Sequence, residues 1–466
     1  MLRDRYDDDP YFWTIIEQLT LEMEPELAQI DKLLEDDELF QLIKQDLAQR
    51  HPHTLETGRN STPVEVGLRM LVVKRLYQFP YRETEWHVGD SLVLRWFCRV
   101  YFNPVPDYST LNRFARDIKP ETLHAFNERV TTIAQQLKVT RGRKLRTDGT
   151  VVETNIAYPR DSQLLNDGVR VLSRLLKQAK VLVQETVAGG VATFRDRTRS
   201  ARNQARSIAN YARQRSDQAK TSLKEAYQRL LKTTQASLNQ AQAVLSVLKS
   251  QSSRTAARIG AELERFIPRI EQALAQTVRR VLQAERVPAQ EKILSLFEPH
   301  TTIIRRGKAG KETEFGHKVW LDEVDGGLVS QWRTLAGNPP DPDQWQPAID
   351  HHLKQFKKPP YLASADRGVY SPDNEAYARQ KGVKRVVLPK PGYKSQERRE
   401  FEAQAWFKRG RRFQAGIEGR ISVSKRKHGL ARCLDHGEAG FDKWVGWGII
   451  ANNFTVLGRT LATKVA

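Results

Sequence analysis

The sequence predicts an α/β protein whose strand-bearing part is interrupted by a long all-helical stretch and preceded by a helical N-terminal region. Three observations carry this. An apolar, strand-like run at Leu145–Asn155 is followed by further strand patterns only after residue 300. Residues 160–299 carry their apolar side chains at helical spacing. Residues 61–137 divide into short helical segments, each opened by a start signal.

Residues 10–50 suggest one or two helices, with Ile15, Ile16, Leu19 and Met23, then Leu39, Leu42, Ile43 and Leu47, at helical spacing. Residues 1–60 hold 6 Lys/Arg against 15 Asp/Glu. This acidic segment is expected to be a partner-binding arm or a structural cap rather than a DNA contact. In Ser61-Thr62-Pro63-Val64-Glu65, Ser61 or Thr62 should cap a helix with Pro63 near its first position. Val66, Met70, Val73 and Leu76 then line one face. Pro80–Thr84 marks a break and restart, and Asp107 opens another capped helix containing Arg113. Short helices with breaks and basic residues over 61–138 fit a helix-turn-helix-like DNA reader or an ordinary helical bundle.

Within 160–299, Leu223, Tyr227, Leu230, Thr234, Ser237, Ala241, Val244 and Leu248 follow heptad spacing. Ile259, Leu263, Phe266, Ile270, Leu274, Val278 and Val281 continue at helical spacing, with Pro268 as an expected kink or boundary. Gly189-Gly190 should separate an earlier helix around Val171–Val183. The block reads as a long antiparallel helical insertion. After it, Phe315–Val324 and Leu328–Leu335 flank Asp325-Gly326-Gly327, a hairpin signal. Tyr361–Ala365 is a short buried strand. Ser371-Pro372 caps a helix that stops at Gly382, and Val383–Leu388 returns as a strand, closing a βαβ unit. Arg411–Lys427 and Phe441–Leu457 complete the chain as helices.

Charge narrows the function. The net charge is +21, which points to a polyanionic partner, nucleic acid first. The excess lies in two blocks: residues 160–300, with 25 Lys/Arg against 12 Asp/Glu, and residues 381–432, with 16 against 4. Two cysteines, Cys98 and Cys433, form no CxxC and fit a reducing compartment. The N-terminus carries no signal-peptide pattern, and no apolar run reaches membrane-span length. A bacterial cytoplasm with access to the nucleoid suits these features. P-loop, zinc-ligand and Gly-x-Ser-x-Gly patterns are missing, which leaves NTPase, zinc and serine-hydrolase readings without support.

Three carboxylates stand in small-residue or basic settings: Asp148 in Thr-Asp-Gly-Thr, Asp366 in Ala-Asp-Arg-Gly, and Glu418 in Gly-Ile-Glu-Gly-Arg. Carboxylate oxygens suit hard cations such as Mg²⁺ or Mn²⁺. Two such ions can activate a water and stabilise the leaving oxygen of a phosphodiester. Competing acids have plainer readings. Glu153 faces the other side of its strand from Asp148. Asp322 and Asp325 flank a turn. Asp350-His351-His352 is expected on a solvated helix face rather than as a ligand pair. Gly416 and Gly419 weaken their helix by about 1 kcal/mol each, which close approach of DNA or another backbone would justify.

The Asp…Asp…Glu order resembles the DDE transposases of bacterial insertion sequences, in particular the group related to insertion-sequence families four and five. The resemblance covers nearly the whole chain and is strongest in Leu145–Asn155, Phe315–Thr334, Tyr361–Gly392 and Arg412–Asn453. It implies an RNase H-like catalytic core (139–159 and 300–466) interrupted by the basic helical insertion (160–299), with a terminal-repeat reader at 61–138. It also implies Asp148, Asp366 and Glu418 as ligands of Mg²⁺ or Mn²⁺, and DNA contacts by Arg113, Arg367, Arg411, Arg412, Arg420, Lys425, Arg426 and Lys427. The partners it implies are double-stranded terminal repeats and target DNA, bound by a homodimer or higher assembly. Relatives often space a Tyr, an Arg, the catalytic Glu and a Lys by 3, 4 and 7 residues. Here Glu418 and Lys425 fit, while Arg411 and Gln414 stand at the other two positions. A catalytically inactive DNA-binding relative and a stand-alone nuclease remain alternatives.

Overall fold

A computed structural model describes residues 1–184, 194–308 and 311–465. It divides into two compact units, residues 1–154 with 316–466, and residues 155–315.

The first unit begins with three helices rather than one or two: α1 (Pro10–Gln18), α2 (Pro25–Leu33) and α3 (Asp37–Ala48). Pro25 starts the additional helix, and Asp36 caps α3 by accepting from the Leu39 amide. Five more follow: α4 (Val64–Leu76), α5 (Tyr81–Asp90), α6 (Leu92–Phe97), α7 (Tyr108–Asp117) and α8 (Pro120–Gln136). Asp107 caps α7 as expected. Ser61 and Thr62 do not cap α4. Its first amides are met instead by the main chain, Val64 N–H donating to the Arg3 carbonyl and Glu65 N–H to that of Asp4. Nor does α4 show a single apolar face, since residues from Val64 to Val73 are all buried. Arg69, fully buried there, is neutralised by Glu65 and Asp31. The acidic N-terminal segment thus packs as part of this unit, with α2 against the last helix and α3 against α4 and α8.

The second unit contains α9 (Asp161–Gln184), α10 (Thr198–Tyr211), α11 (Asp217–Lys249) and α12 (Arg254–Thr277) around its own apolar core. From Leu230 through Leu248 the expected heptad positions of α11 are buried. Pro268 is no boundary: α12 continues through it. Gly189-Gly190 lie outside the described residues.

The sheet of the first unit has β1 (Lys144–Glu153) at its centre. β2 (Thr302–Lys308) and the first residues of β3 (Lys311–Val324) belong to the second unit. The rest of β3 pairs antiparallel with β1 on one side and with β4 (Leu328–Leu335) on the other, across the expected hairpin. On the far side of β1, β5 (Leu362–Ala365) and then β6 (Arg385–Val387) run parallel to it. Between these last two strands α14 (Pro372–Gln380) completes the βαβ unit, with Ser371 capping it and Gly382 ending it at φ +91°. α13 (Trp345–Phe356) precedes β5. α15 (Gln396–Ala403), α16 (Ala405–Lys427) and α17 (Gly437–Val465) follow β6. α16 lies on β1, β5 and β6, whereas α8 and α17 cover β4. Apolar α17 is buried among α2, α4 and α8. No helix among the described residues is long and apolar enough to cross a membrane.

Two sets of polar groups depart from expectation. Asp322 is no turn former: it is buried on β3 and accepts from the Thr147 hydroxyl at 2.6 Å. Asp325 does hold the turn, accepting from the Arg141 and Lys144 amides. His351 and His352 do not lie on a solvated face either. His352 is buried, with its Nε2 3.0 Å from the Gly142 carbonyl, and His351 pairs with Glu128 at 3.5 Å. α13 thus buries His352 in the core, while His351, partly buried, turns to Glu128 of α8.

A candidate active site where the β1–β5 pairing ends

The β1–β5 register aligns Lys144 with Leu362, Leu145 with Ala363, Arg146 with Ser364 and Thr147 with Ala365. The next residues in line are Asp148 and Asp366. Sequence separation of 218 residues thus ends in neighbouring positions on adjacent parallel strands, whose spacing is about 5 Å. Alternation decides which way Asp148 faces. Arg146, two residues before Asp148, donates to the Phe413 carbonyl of α16. Ser364, two residues before Asp366, donates to the Gln414 side chain of α16 at 2.9 Å. By the period of two, Asp148 belongs to the α16 face, and Asp366 directly follows the last residue of β5. Asp366 follows the carboxyl end of β5, where open α/β sheets form their clefts, and Asp148 stands beside it within β1, just past the last β1–β5 pair.

Gln414 fixes α16 over this point. Its side chain donates to the Thr147 carbonyl at 3.0 Å while accepting from Ser364, so one buried amide clamps both strands just below the aspartates. Glu418 lies one turn further on the same helix, about 6 Å along its axis. It is exposed, as is Asp366, and neither carboxylate has a hydrogen bond or ion pair among the described residues. Asp148 is half-buried and accepts from the Gly149 amide at 2.7 Å. The three are not drawn into one closed ligand set: among the described residues no group of three or more His, Cys, Asp or Glu could hold a metal ion.

The neighbouring acids are all engaged. Glu323 is fully buried and takes a two-pronged ion pair from Arg146, at 2.6 and 2.9 Å, with Arg420 at 3.6 Å. Glu153 pairs with Arg432 at 2.8 Å, and Asp341 with Lys318. Asp322 is held by Thr147 and lies 3.7 Å from Arg333. Sequence reading missed the supporting roles of Arg146, Glu323 and Gln414. Only the register of strands far apart in the chain brings them together, and a lone Gln inside a basic helix carries no signal.

The expected DNA-contacting residues divide. Arg411, Arg412, Arg426 and Lys427 are exposed on α16 and make no ion pair among the described residues; Arg367 is exposed beside Asp366. Arg113 is exposed on α7, donating to Thr110. Lys425 is half-buried. Arg420 turns inward, donating to Asn452 at 3.2 Å beside Glu323. The two glycines divide as well. A Cβ at Gly416 would collide with the Arg146 guanidinium, so the protein itself accounts for that glycine; around Gly419 nothing lies within 4 Å.

No curated protein and no solved structure matches the chain. A protein-family model described as "Transposase domain (DUF772)" matches residues 16–117, from within α1 to the end of α7 and across the boundary expected near residue 60. That match supports a transposase family for this chain.

Proposed function

We propose that the protein is a DDE-type transposase. It cleaves DNA at the ends of its own mobile element and joins the 3′-hydroxyl ends to target DNA. The family match over residues 16–117 supports transposition; the chemistry is our reading of the site. The observation that supports it best is the register that makes Asp148 and Asp366 neighbours beneath α16, with Glu418 one turn beyond the Gln414 clamp.

The donor set fits a hard divalent cation. It consists of carboxylates alone, and two of the three, Asp366 and Glu418, have no counter-charge among the described residues, unlike the saturated Glu323. Asp148, Asp366 and Glu418 would hold Mg²⁺ or Mn²⁺, which supplies Lewis-acid activation of the attacking oxygen and charge stabilisation of the leaving one. The chain's own residues do the rest. Arg146 and Glu323 hold β1 against β3, so that Asp148 is presented from a rigid strand. Gln414 sets the height of α16 above both strands. Arg411, Arg412, Arg426 and Lys427, exposed and without an ion pair among the described residues, offer cations to the phosphates on either side of Glu418. Glu418 stands outside a closed set, and the α16 segment around it is to complete the site when DNA is bound. Two copies acting on paired ends, and phosphate contacts by the basic helices of the second unit, belong to the same proposal.

Cleavage of duplex DNA carrying the element's ends tests the chemistry. Asp366→Asn should abolish metal-dependent cleavage and joining while end binding persists. Cleavage at the wild-type rate would overturn the site. Joining is tested separately with a pre-cut 3′ end; cleavage without joining would point to a nuclease. For the second unit, replacing Arg202, Arg206 and Arg213 by Gln should flatten the log–log salt dependence of binding by about 0.9 for each phosphate no longer neutralised.

A further inference from the structure

A groove of about 750 Å³ in the first unit lies outside the proposed catalytic centre. It is bounded by α4, α5, α7, the end of α16 and the start of α17. Its charged lining is one-sided: Lys74, Arg75, Arg116, Lys425, Arg432 and Lys443 face a single acid, Asp435. Several of these cations have structural duties. Lys443 donates to the Ala115 and Arg116 carbonyls at the end of α7, and Arg432 pairs with Glu153. Arg75 is buried against the Trp444 ring at 3.9 Å, donating from one terminal nitrogen to the Trp444 carbonyl while its Nε has no hydrogen-bond partner among the described residues.

Lys74 is different. Its ammonium is half-buried over the Tyr81 ring at 4.4 Å and the Trp444 ring at 5.5 Å, with no ion pair or hydrogen bond among the described residues. Burial, together with the adjacent Arg75, pushes its pKa down to about 8, against the pull of Asp435. Aromatic faces offset part of the desolvation of a cation, but a second, guanidinium charge beside it leaves the pair short of a counter-ion. Lys425 joins the groove to the centre, seven residues beyond Glu418 on α16, about 10 Å along the helix. The intervening Gly419 faces open space.

We propose that this groove is a phosphate-binding site for the backbone of duplex DNA, with Lys74 as its anchoring cation. The segment 16–117 and the end of α16 thereby grip the same stretch of duplex. The inference rests on the reading of the chain as a DNA-acting enzyme, and it adds a contact within residues 16–117 that neither composition nor the Asp and Glu residues identify.

Acetylation of the intact protein by an N-hydroxysuccinimide ester, read by peptide mass spectrometry, tests it without any mutation. A 20-base-pair duplex at saturation should slow acetylation of Lys74 at least tenfold, while Lys32 in acidic α2 reacts as before. Unchanged Lys74 reactivity would overturn the proposal, and protection by the single strand alone would overturn the assignment to duplex DNA. In fluorescence anisotropy with the same labelled duplex, Lys74→Gln should lower affinity several-fold and reduce the salt slope by about 0.9, and Lys74→Arg should restore both. Asp366→Asn should leave Lys74 protection intact. A lost footprint beside an intact Asp366 effect removes the groove alone; an intact footprint with wild-type cleavage by Asp366→Asn removes the catalytic reading alone.

Discussion

On the face of the sheet away from α16, polar groups are consumed by the fold. Asp322 is tied to Thr147, and Asn127 and Asn453 bond to each other and to the Val329 main chain beside the irregular β3–β4 pairing. On the α16 face the same sheet carries both regimes in sequence. Glu323 is saturated by Arg146 and Arg420 at the level of residue 146. Two residues further stand Asp148, within β1, and Asp366, directly after β5 and exposed with no partner among the described residues. Past the end of β5, then, a carboxylate stands with no counter-charge among the described residues. A carboxylate that stabilises the fold needs its cation permanently in place, whereas one that serves a ligand must be left under-neutralised until the ligand arrives. This difference in neutralisation separates structural acids from candidate catalytic ones more sharply than burial or sequence context does.

The largest effect should come from breaking the open side. Asp366→Asn is expected to lower metal-dependent cleavage by roughly a thousandfold or more, with folding stability changed by less than about 0.5 kcal/mol because the carboxylate bonds to nothing among the described residues. A large fall in stability measured by denaturant titration would move Asp366 to the structural class.

The saturated side should respond the other way. Glu323→Ala leaves Arg146 facing α16 without its carboxylate and should cost about 3–5 kcal/mol in urea unfolding. A loss below about 1 kcal/mol would show that the ion pair is not what holds β1 to β3.

Acid should strike the fold through its buried histidines. Burial holds His352 and His428 at about 4, below the ordinary 6.5 of histidine. Between those values the unfolded chain binds protons that the folded one refuses, so stability rises with pH across this window and falls as pH drops from about 7 to 4. Full protonation corresponds to roughly 3 kcal/mol for each group. His352→Phe should flatten the pH dependence of stability in that window; an unaltered profile would exclude His352 as a source.

The smallest effect compares two glycines of one helix. Gly419→Ala meets open space and should stabilise α16 by up to about 1 kcal/mol. Gly416→Ala meets the Arg146 guanidinium and should destabilise by about 1–3 kcal/mol. Slower cleavage by the more stable Gly419→Ala variant would mark that position as a surface approached by DNA. Full activity would show that the glycine serves no such approach.

Much of this was legible before folding. Local chemistry wrote the β3–β4 hairpin through Asp325-Gly326-Gly327, the Asp107 and Ser371 caps, the Gly382 stop and the buried positions of α11, because each depends on residues within a turn or two of one another. Sequence reading failed where distant segments met the local demand. Arg3 and Asp4 supplied the start of α4 that Ser61 was expected to cap. Thr147 claimed Asp322, and Gly142 claimed His352. The Arg146 guanidinium, not DNA, accounts for Gly416.

The sequence by itself determined that three carboxylates sit in small or basic contexts, that the charge is strongly positive, and that Asp366 ends a strand before a capped helix. These are properties of composition and near neighbours. Only the tertiary structure decided that Asp148 stands next to Asp366, that Gln414 joins their strands to the helix of Glu418, and that Arg420 turns inward while Arg411 and Arg412 do not. Strand register and helix placement are set by which distant surfaces bury against each other, and a one-residue slip in register would have turned Asp148 to the opposite face.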